Sequence, residues 1–421
     1  MKCRFITKHQ KDLFDSFYLM LLQGVNQLLP IVVMPYLMVT LGAEGYGHIG
    51  FALSTIQYLI LIVDFGFNLS ATKQIAIFKN DLEKRSQIFW NVVAAKVLLL
   101  FLSTTIMVLL IVCLPTFRTY QAAIIATWPM VLGNTFTFMW FFQGIGKIRN
   151  LSIINTLSKV LLLPLIFVFV HTHDDYIMAA FLQAIVFVGT ALLSNVYLYK
   201  LHVIKSVRPD MEKMLDETRT SFPLFLSSAS TSLYTQLTII ILGFYCTTEE
   251  IGRYAAAERI MRAMCFLIYV PISQVFFQKI SYAASVNKKD ALQLFYKIRT
   301  MVVCIMLLIG LIIFTGGNWL PLLLGQDYTG IETLLRILSI SPLAIGIGGV
   351  YGQLGLIAIG NKKASLRFRN VYFSASIVSL CLLFALTPVL KGVGASIVVS
   401  ATEVIVAVLM VLNFKKSISL C

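Results

Sequence analysis

Three features predict an all-α integral membrane fold: about a dozen long apolar runs, few charges, and basic residues gathered in alternate gaps between the runs. A run of about 20 apolar residues crosses a hydrocarbon core of about 30 Å. Hydrophobic residues make up 58% of the chain and charged residues 13%, with a mean hydropathy of +0.85. A soluble domain carries about 25% charged residues.

The expected spans are 13–40, 46–72, 88–113, 121–143, 151–171, 176–199, 221–245, 252–278, 298–316, 332–360, 370–388 and 394–413, about twelve helices. Orientation follows from the excess of Lys and Arg on cytoplasmic segments. One set of segments holds Lys2, Arg4, Lys8 and Lys11, then Lys73, Lys79, Lys84 and Arg85, then Lys147 and Arg149. It continues with Lys200, Lys205, Arg208, Lys213 and Arg219, with Lys279, Lys288, Lys289, Lys297 and Arg299, with Lys362, Lys363, Arg367 and Arg369, and with Lys415 and Lys416. These are 26 of the 34 basic residues, whereas the opposite gaps hold only Arg118 and Lys391. Both termini are therefore expected in the cytoplasm. The net charge of +15 is explained by this orientation and not by nucleic acid. A charged N-terminus followed by an overlong first run argues against a cleavable signal peptide. Seven scattered cysteines without a CxxC pair suggest neither a disulfide nor a metal site, and no cofactor is expected.

The gaps are too short for a soluble domain. Twelve helices divide into an N-terminal six-helix bundle (1–200), a cytoplasmic linker (201–220) and a C-terminal six-helix bundle (221–421), set around a central cavity. Two such halves are related by an axis along the membrane normal in some transporter folds. The turn Leu41–Gly47 has a loose counterpart in Thr248–Tyr254, each placing an acidic residue and a glycine at a helix start. Pro30, Pro35, Pro129, Pro164, Pro223, Pro271 and Pro342 lie in or near spans, where each removes a backbone hydrogen bond and favours a kink. Ordinary tolerance of proline in membrane helices is the alternative reading. The Gly346–Gly349 stretch loosens the tenth span similarly.

Ionisable residues inside spans are the best functional clue, since each costs about 2.5–3.5 kcal/mol at a helix centre and normally faces protein or water. They are Asp64, Lys96, Lys159, Glu258, Arg259, Arg262, Arg336 and Glu403. Asp64, Lys96 and Lys159 each lie about eight residues from a cytoplasmic end, roughly 12 Å deep, and can meet at one level. Lys96 and Lys159 are read as lining a hydrated cationic cavity. Asp64 is either their counter-ion, the preferred reading, or a proton carrier. Arg259, Arg262 and Glu403 enter from the outer side, and Glu258 is spaced to pair with Arg262. Arg336, near a helix end, is read as snorkelling to the interface. Polar stripes add Gln23, Asn26 and Gln27 in the first span, Ser54, Gln57 and Asn68 beside Asp64 in the second, and Ser227, Thr231, Tyr234 and Thr238 in the seventh. Such stripes also serve as helix-packing contacts. Together with the cations they suit an anionic, hydroxyl-rich solute.

Several strings resemble the Wzx-type polysaccharide flippases. They are Leu22–Asn26 through Pro30 with Met34–Leu37 and Leu41–Gly47, then Gln57-Tyr58 and Asp64–Lys73, then Trp140–Gly144, Ser221–Leu226 and Gly252–Ile260. The likeness spans about residues 15–360, and Asp64–Lys73 is its most specific part. After Trp140–Gly144 the family pattern places an acidic residue before the basic one, whereas here Gly146 precedes Lys147. The resemblance implies a multidrug/oligosaccharidyl-lipid/polysaccharide exporter fold working by alternating access in the bacterial inner membrane. It implies movement of an undecaprenyl-diphosphate-linked oligosaccharide, such as an O-antigen repeat unit, to the periplasmic leaflet. Lys96 and Lys159 would hold the anionic head, Arg259 and Arg262 would form an outer station, and Asp64, Glu258 and Glu403 would serve as counter-ions or in coupling. Expected partners are membrane lipids and a polymerase and chain-length regulator of the same pathway. A small-molecule exporter of the same superfamily is the first alternative; the cationic bias argues against it, and Glu258 and Glu403 leave room for it. A membrane glycosyltransferase or polymerase is the second. It would need loop carboxylates, and His171, His173, Asp174 and Asp175 read better as a solvated turn.

Overall fold

The first helix, α1, is Lys2–Asp64, with Pro30 and Pro35 inside it and a kink where Gly42 leaves helical geometry at φ 65°. The structure, a computed structural model, describes residues 2–360 and 362–418, without the side chains of 2–28, 223, 227, 228, 230, 231, 233–235, 362, 365 and 418. Among these residues the fold is all helical. Nine helical segments are long and apolar enough to cross a membrane. Two of them, Leu29–Ile77 with 49 residues and Leu366–Ser417 with 52, are each long enough for two crossings. The chain is thus a multi-pass membrane protein.

Several expected boundaries are corrected. The gap at 41–45 is a one-residue kink, and so is the gap before 394, where Lys391 takes φ 52° inside one long helix. The expected second span, 46–72, is broken at Phe65 (φ 39°) and Gly66 (φ 81°) before α2 (Phe67–Ile77). Gly66 is required: a Cβ there would lie 2.7 Å from the Ser221 carbonyl oxygen. After α3 (Leu82–Cys113), which Asp81 caps by accepting the Lys84 N–H, short helices α4 (Pro115–Thr119), α5 (Gln121–Thr127), α6 (Pro129–Phe136) and α7 (Met139–Gly144) replace the continuous span 121–143. The fifth span becomes α8 (Ile148–Leu162) and α9 (Leu165–Phe169), parted at Pro164. Next come α10 (Tyr176–Lys200), α11 (Met211–Tyr245), α12 (Thr248–Val286) and α13 (Lys288–Gly316). The expected cytoplasmic loop at 279–299 is therefore almost wholly helical. Its charges end the apolar run, but charged residues such as Lys and Arg remain good helix formers, so the helix continues through them. Only Asn287 interrupts it, extended and accepting the Lys289 N–H at 2.9 Å. After α14 (Leu320–Leu324), the tenth span is assembled from α15 (Ile331–Leu338), α16 (Ser341–Gly349) and a π-helical stretch, Val350–Ile357. The last helix, α17, is Lys362–Ile418.

The chain forms two compact units. The first comprises Met1–Thr40 and Thr55–Ser228; the second comprises Leu41–Ser54 and Ala229–Cys421. In the first, one end is an aromatic cluster of Phe67, Phe89, Phe138, Trp140, Phe141 and Phe142, all buried. The extended segment 203–210 is stitched along α3. Arg85 donates from Nε and Nη2 to the Val203 carbonyl (3.1 and 2.7 Å), and Trp90 Nε1 donates to Lys205 O (2.9 Å). The Lys205 N–H donates to Ser86 Oγ (3.0 Å), and the Asp210 N–H to Asn91 Oδ1 (2.9 Å). Arg85→Ala is therefore expected to speed tryptic cleavage after Lys205 and Arg208 several-fold. Unchanged cleavage would show that Arg85 does not hold this segment.

In the second unit, the two similar turns lie against each other. A Cβ on Gly47 would be 2.0 Å from the Thr248 carbonyl oxygen, and one on Gly252 would be 1.7 Å from that of Ala43. Ala43 and Gly47 thus face Thr248 and Gly252, a small-xxx-small contact between helix backbones. Tyr328 adds a hydrogen bond from its hydroxyl to Gly42 O at 3.1 Å.

Candidate functional site

Asp64 ends α1 because the chain turns through positive φ at the next two residues. Its carboxylate therefore sits at a helix C-terminus, where a cation is favoured. Lys96, on the buried face of α3, supplies it: Nζ lies 3.0 Å from Asp64 Oδ1, and the lysine side chain is 2% exposed. Asn134 of α6 donates to the same oxygen at 2.9 Å, and Asn68 of α2 donates to Oδ2 at 3.2 Å. Both carboxylate oxygens are thus occupied. A buried pair is held only when such additional bonds offset the loss of water.

This network forms one wall of a cavity of about 140 Å³ inside the first unit. Lys159, Ser152 and Asn155 of α8 line another wall, with Thr137 and with Phe187 and Thr190 of α10. Two lysines and one aspartate leave the lining with one net positive charge. Three amides and several hydroxyls suit a hydroxyl-rich guest. Asn134 reaches the site because α6 approaches α10 closely at Gly133, where a Cβ would lie 2.4 Å from the Phe187 backbone.

The structure brings Asp64, Lys96, Lys159 and Asn68 together. It adds Asn134, Asn155 and Ser152, which the sequence reading missed. A depth argument applied to amides as well as to charges would have found Asn134. Gln57 is exposed on α1 and does not line this cavity. Gln23, Asn26 and Tyr234 lie outside the residues whose side chains are described.

The other ionisable residues expected inside spans, Glu258, Arg259, Arg262, Arg336 and Glu403, belong to the second unit. Arg262 Nε donates to Glu258 Oε1 at 2.9 Å, the expected pair one turn apart. Arg259 instead donates to the Tyr46 hydroxyl at 3.3 Å and is exposed. Glu403 of α17 is 8% exposed and lies within electrostatic reach of Arg262. Arg336 is exposed and donates to Asn318 at 2.8 Å. Asp175 accepts the N–H groups of His171 (2.9 Å) and Thr172 (2.8 Å) on its Oδ2 as a helix cap, which ties that oxygen to the turn. Gly146, the departure from the family pattern, has φ 77°, a conformation that glycine adopts without strain.

The model of the family described as "Polysaccharide biosynthesis protein" matches residues 13–281. Two curated relatives carry the name "Putative O-antigen transporter". That from Escherichia coli K12 is 31% identical over 399 residues, covering 94% of this chain and 95% of the relative. That from Shigella dysenteriae is 26% identical over 398 residues, covering 93% and 97%. Among solved structures, an inward-facing multidrug resistance MATE family transporter of the MOP superfamily superposes with a TM-score of 0.73 at 16% identity, covering 94% of this chain and 95% of that one. The lipid II flippase MurJ, in an inward closed conformation, gives a TM-score of 0.74 at 13% identity, covering 94% and 87%. At those identities the likeness speaks for the fold.

Proposed function

Because the chain belongs to the polysaccharide biosynthesis family, the Wzx-type flippases of the multidrug/oligosaccharidyl-lipid/polysaccharide exporter superfamily, we propose that it moves an undecaprenyl-diphosphate-linked oligosaccharide, such as an O-antigen repeat unit, from the cytoplasmic to the periplasmic leaflet of the bacterial inner membrane. The observation that carries this reading is the cavity of the first unit, net positive and lined by amides and hydroxyls. A diphosphate or an acidic sugar needs a cation away from bulk water, and Lys159 and Lys96 supply it. Asp64 offsets the charge of Lys96 when the guest is absent. At about 140 Å³ the cavity takes one charged group and not a whole repeat unit. The remaining sugars would lie outside it and the polyprenyl tail in lipid. Movement by alternating access between two six-helix bundles, with both termini cytoplasmic and no catalysis, completes the reading.

Lys159→Gln is the cleaner test, since Lys96→Ala also leaves Asp64 buried without its cation. In cells lacking the protein, Lys159→Gln at matched membrane level is expected to lower surface polysaccharide about tenfold or more, the loss of one charge-assisted contact of about 1.5–3 kcal/mol. Lipid-linked repeat units should accumulate on the cytoplasmic side. Full restoration by Lys159→Gln would remove the cavity from the transport path. A second reading, export of cationic small molecules, is favoured by the carboxylates Glu258 and Glu403 in the second unit. Faster clearance of a cationic dye from cells making the protein, with no effect on surface polysaccharide, would favour it.

A further inference from the structure

Charge at the ends of the spans is distributed differently in the two units. Segments 73–85, 147–149 and 200–219 of the first unit hold eleven basic residues and six carboxylates. Three of those carboxylates pair with a cation: Asp81 with Lys84, Asp210 with Lys213 and Asp216 with Arg219. Segments 279–299, 362–369 and 415–416 of the second unit also hold eleven basic residues, with Asp290 as their one carboxylate. Orientation in a membrane requires the cations but is nearly indifferent to Asp and Glu, so the shortage of carboxylates needs another cause. These segments meet at one end of the unit. Phe295 of α13, Tyr351 of the π-helical stretch and Phe414 of α17 form a buried triad, with ring centroids 4.6, 5.3 and 5.4 Å apart. Beside it, two half-buried guanidiniums are fixed by neutral hydroxyls. Arg299 Nη1 donates to Tyr351 Oη at 3.2 Å, and Arg367 Nη1 donates to Ser417 Oγ at 2.8 Å. Ser417 already donates to Asn413 O, so its oxygen is left only to accept. Phe414 and Ser417 are three residues apart, so both arginines are tied to one turn of α17. Neither has a carboxylate partner among the described residues. Tyr351 itself lies in a π-helical winding, which is rare and recurs at functional sites.

A guanidinium held by a hydroxyl keeps its whole charge and several unused N–H donors, and its planar fork matches phosphate. We propose that this end of the second unit binds the phosphate headgroups of anionic phospholipids. Arg299 and Arg367 are its fixed contacts, and the exposed Lys289, Lys297, Arg369 and Lys415 surround them with positive charge. A lipid suits this place better than a soluble anion, because the cations border exposed apolar surface of a membrane span. Leu366, Phe373 and Leu412 are all exposed and stand within about a turn of Arg367, Arg369 and Lys415 on α17. Tyr296 is exposed too, with the Arg299 guanidinium 5.1 Å from its ring centroid, and tyrosine is enriched at headgroup level. A headgroup shared by α13 and α17 would hold the ends of these helices together. Carboxylates in the same segments would repel it, which accounts for their scarcity. The proposal needs only that the chain spans a membrane and is independent of what the protein carries.

The full protein in detergent, titrated with phosphatidylglycerol or phosphatidylcholine and followed by native mass spectrometry and thermal unfolding, tests it. Wild type is expected to retain phosphatidylglycerol over phosphatidylcholine and to melt higher as it binds. Arg299→Gln combined with Arg367→Gln should weaken that retention about tenfold or more, as expected for lost charge-assisted contacts. Should this variant fail to fold, Lys289→Gln with Lys297→Gln and Arg369→Gln, all exposed, should weaken retention several-fold, and less so at high salt. The control is Lys84→Gln with Lys213→Gln and Arg219→Gln, which takes three cations from the first unit and should leave retention unchanged. Equal retention of the two lipids by wild type overturns the proposal, since the site then has no preference for an anionic headgroup. An equal loss in the control also overturns it, since only a general attraction between charges remains. Displacement of phosphatidylglycerol by inorganic pyrophosphate, or by undecaprenyl diphosphate at equal concentration, overturns the choice of occupant in favour of a free anion or of the cargo. No transport is measured, so failure of the flippase reading is told apart from failure of this one.

Discussion

Asp64→Ala is expected to lower stability by about 3–5 kcal/mol, the penalty for leaving a buried cation without its partner. Lys96 is 2% exposed, and its ammonium has Asp64 at 3.0 Å. Removing that carboxylate also strands the amide donors of Asn134 and Asn68, each with a further cost of about 1–3 kcal/mol if no water replaces the lost acceptor. Lys96→Met alone leaves an anion with two amide donors and should cost less. The double variant Asp64→Ala with Lys96→Met should recover most of the loss, because no uncompensated charge remains. Thermal unfolding of the purified protein in detergent, carried through all four combinations, gives the coupling between the two residues directly. Additive losses in the double variant would mean that the pair contributes nothing as a pair.

That site was partly legible in the chain. Asp64, Lys96 and Lys159 stand out because an ionisable residue in a hydrophobic run is costly and needs a reason, and equal depth along three helices suggested that they meet. Asn134 and Asn155 were not legible in the same way, since an amide costs less in lipid and does not interrupt a hydropathy profile. The breaks at Phe65–Gly66 and at Asn287 were equally hidden. Hydropathy reports where lipid ends, whereas a helix ends where its backbone bonds end. At 279–299 the two differ by a whole loop. At 64–67 they differ the other way, and the helix stops in the middle of an apolar run because Gly66 must pass the Ser221 carbonyl. The loose likeness between Leu41–Gly47 and Thr248–Tyr254 was readable in the sequence. That the two turns touch was not, because contact depends on glycines whose value is the absence of a side chain.

Gly252→Val is the second large effect expected. Its Cβ would fall 1.7 Å from the Ala43 carbonyl oxygen and 3.0 Å from the Gly47 nitrogen, both backbone atoms that no rotamer change can move. Overpacking ordinarily costs about 1–3 kcal/mol, and with fixed neighbours the cost lies at or above that range. The helices must separate, which also loses the Tyr328 bond to Gly42. Gly47→Ala should behave in the same way through Thr248, with a Cβ contact of 2.0 Å. The control is Gly316→Ala at the end of α13, where nothing lies within 4 Å of the added atom. It should be neutral or stabilising by about 0.5–1 kcal/mol. Melting temperature and membrane yield decide the matter, and wild-type values for Gly252→Val would show that this close approach does not exist in the membrane.

The stitching of segment 203–210 along α3 also bears on how the protein is made. Asn91 and its partner at Asp210 are separated by 119 residues. At about 5–20 residues per second, a ribosome takes roughly 6–24 s to make that interval. During that time Ser86, Trp90 and Asn91 have already emerged while the backbone that will satisfy them does not yet exist. The N-terminal end of α3 thus waits for its partners for a set period in every round of synthesis, and it closes only when the first unit is nearly complete.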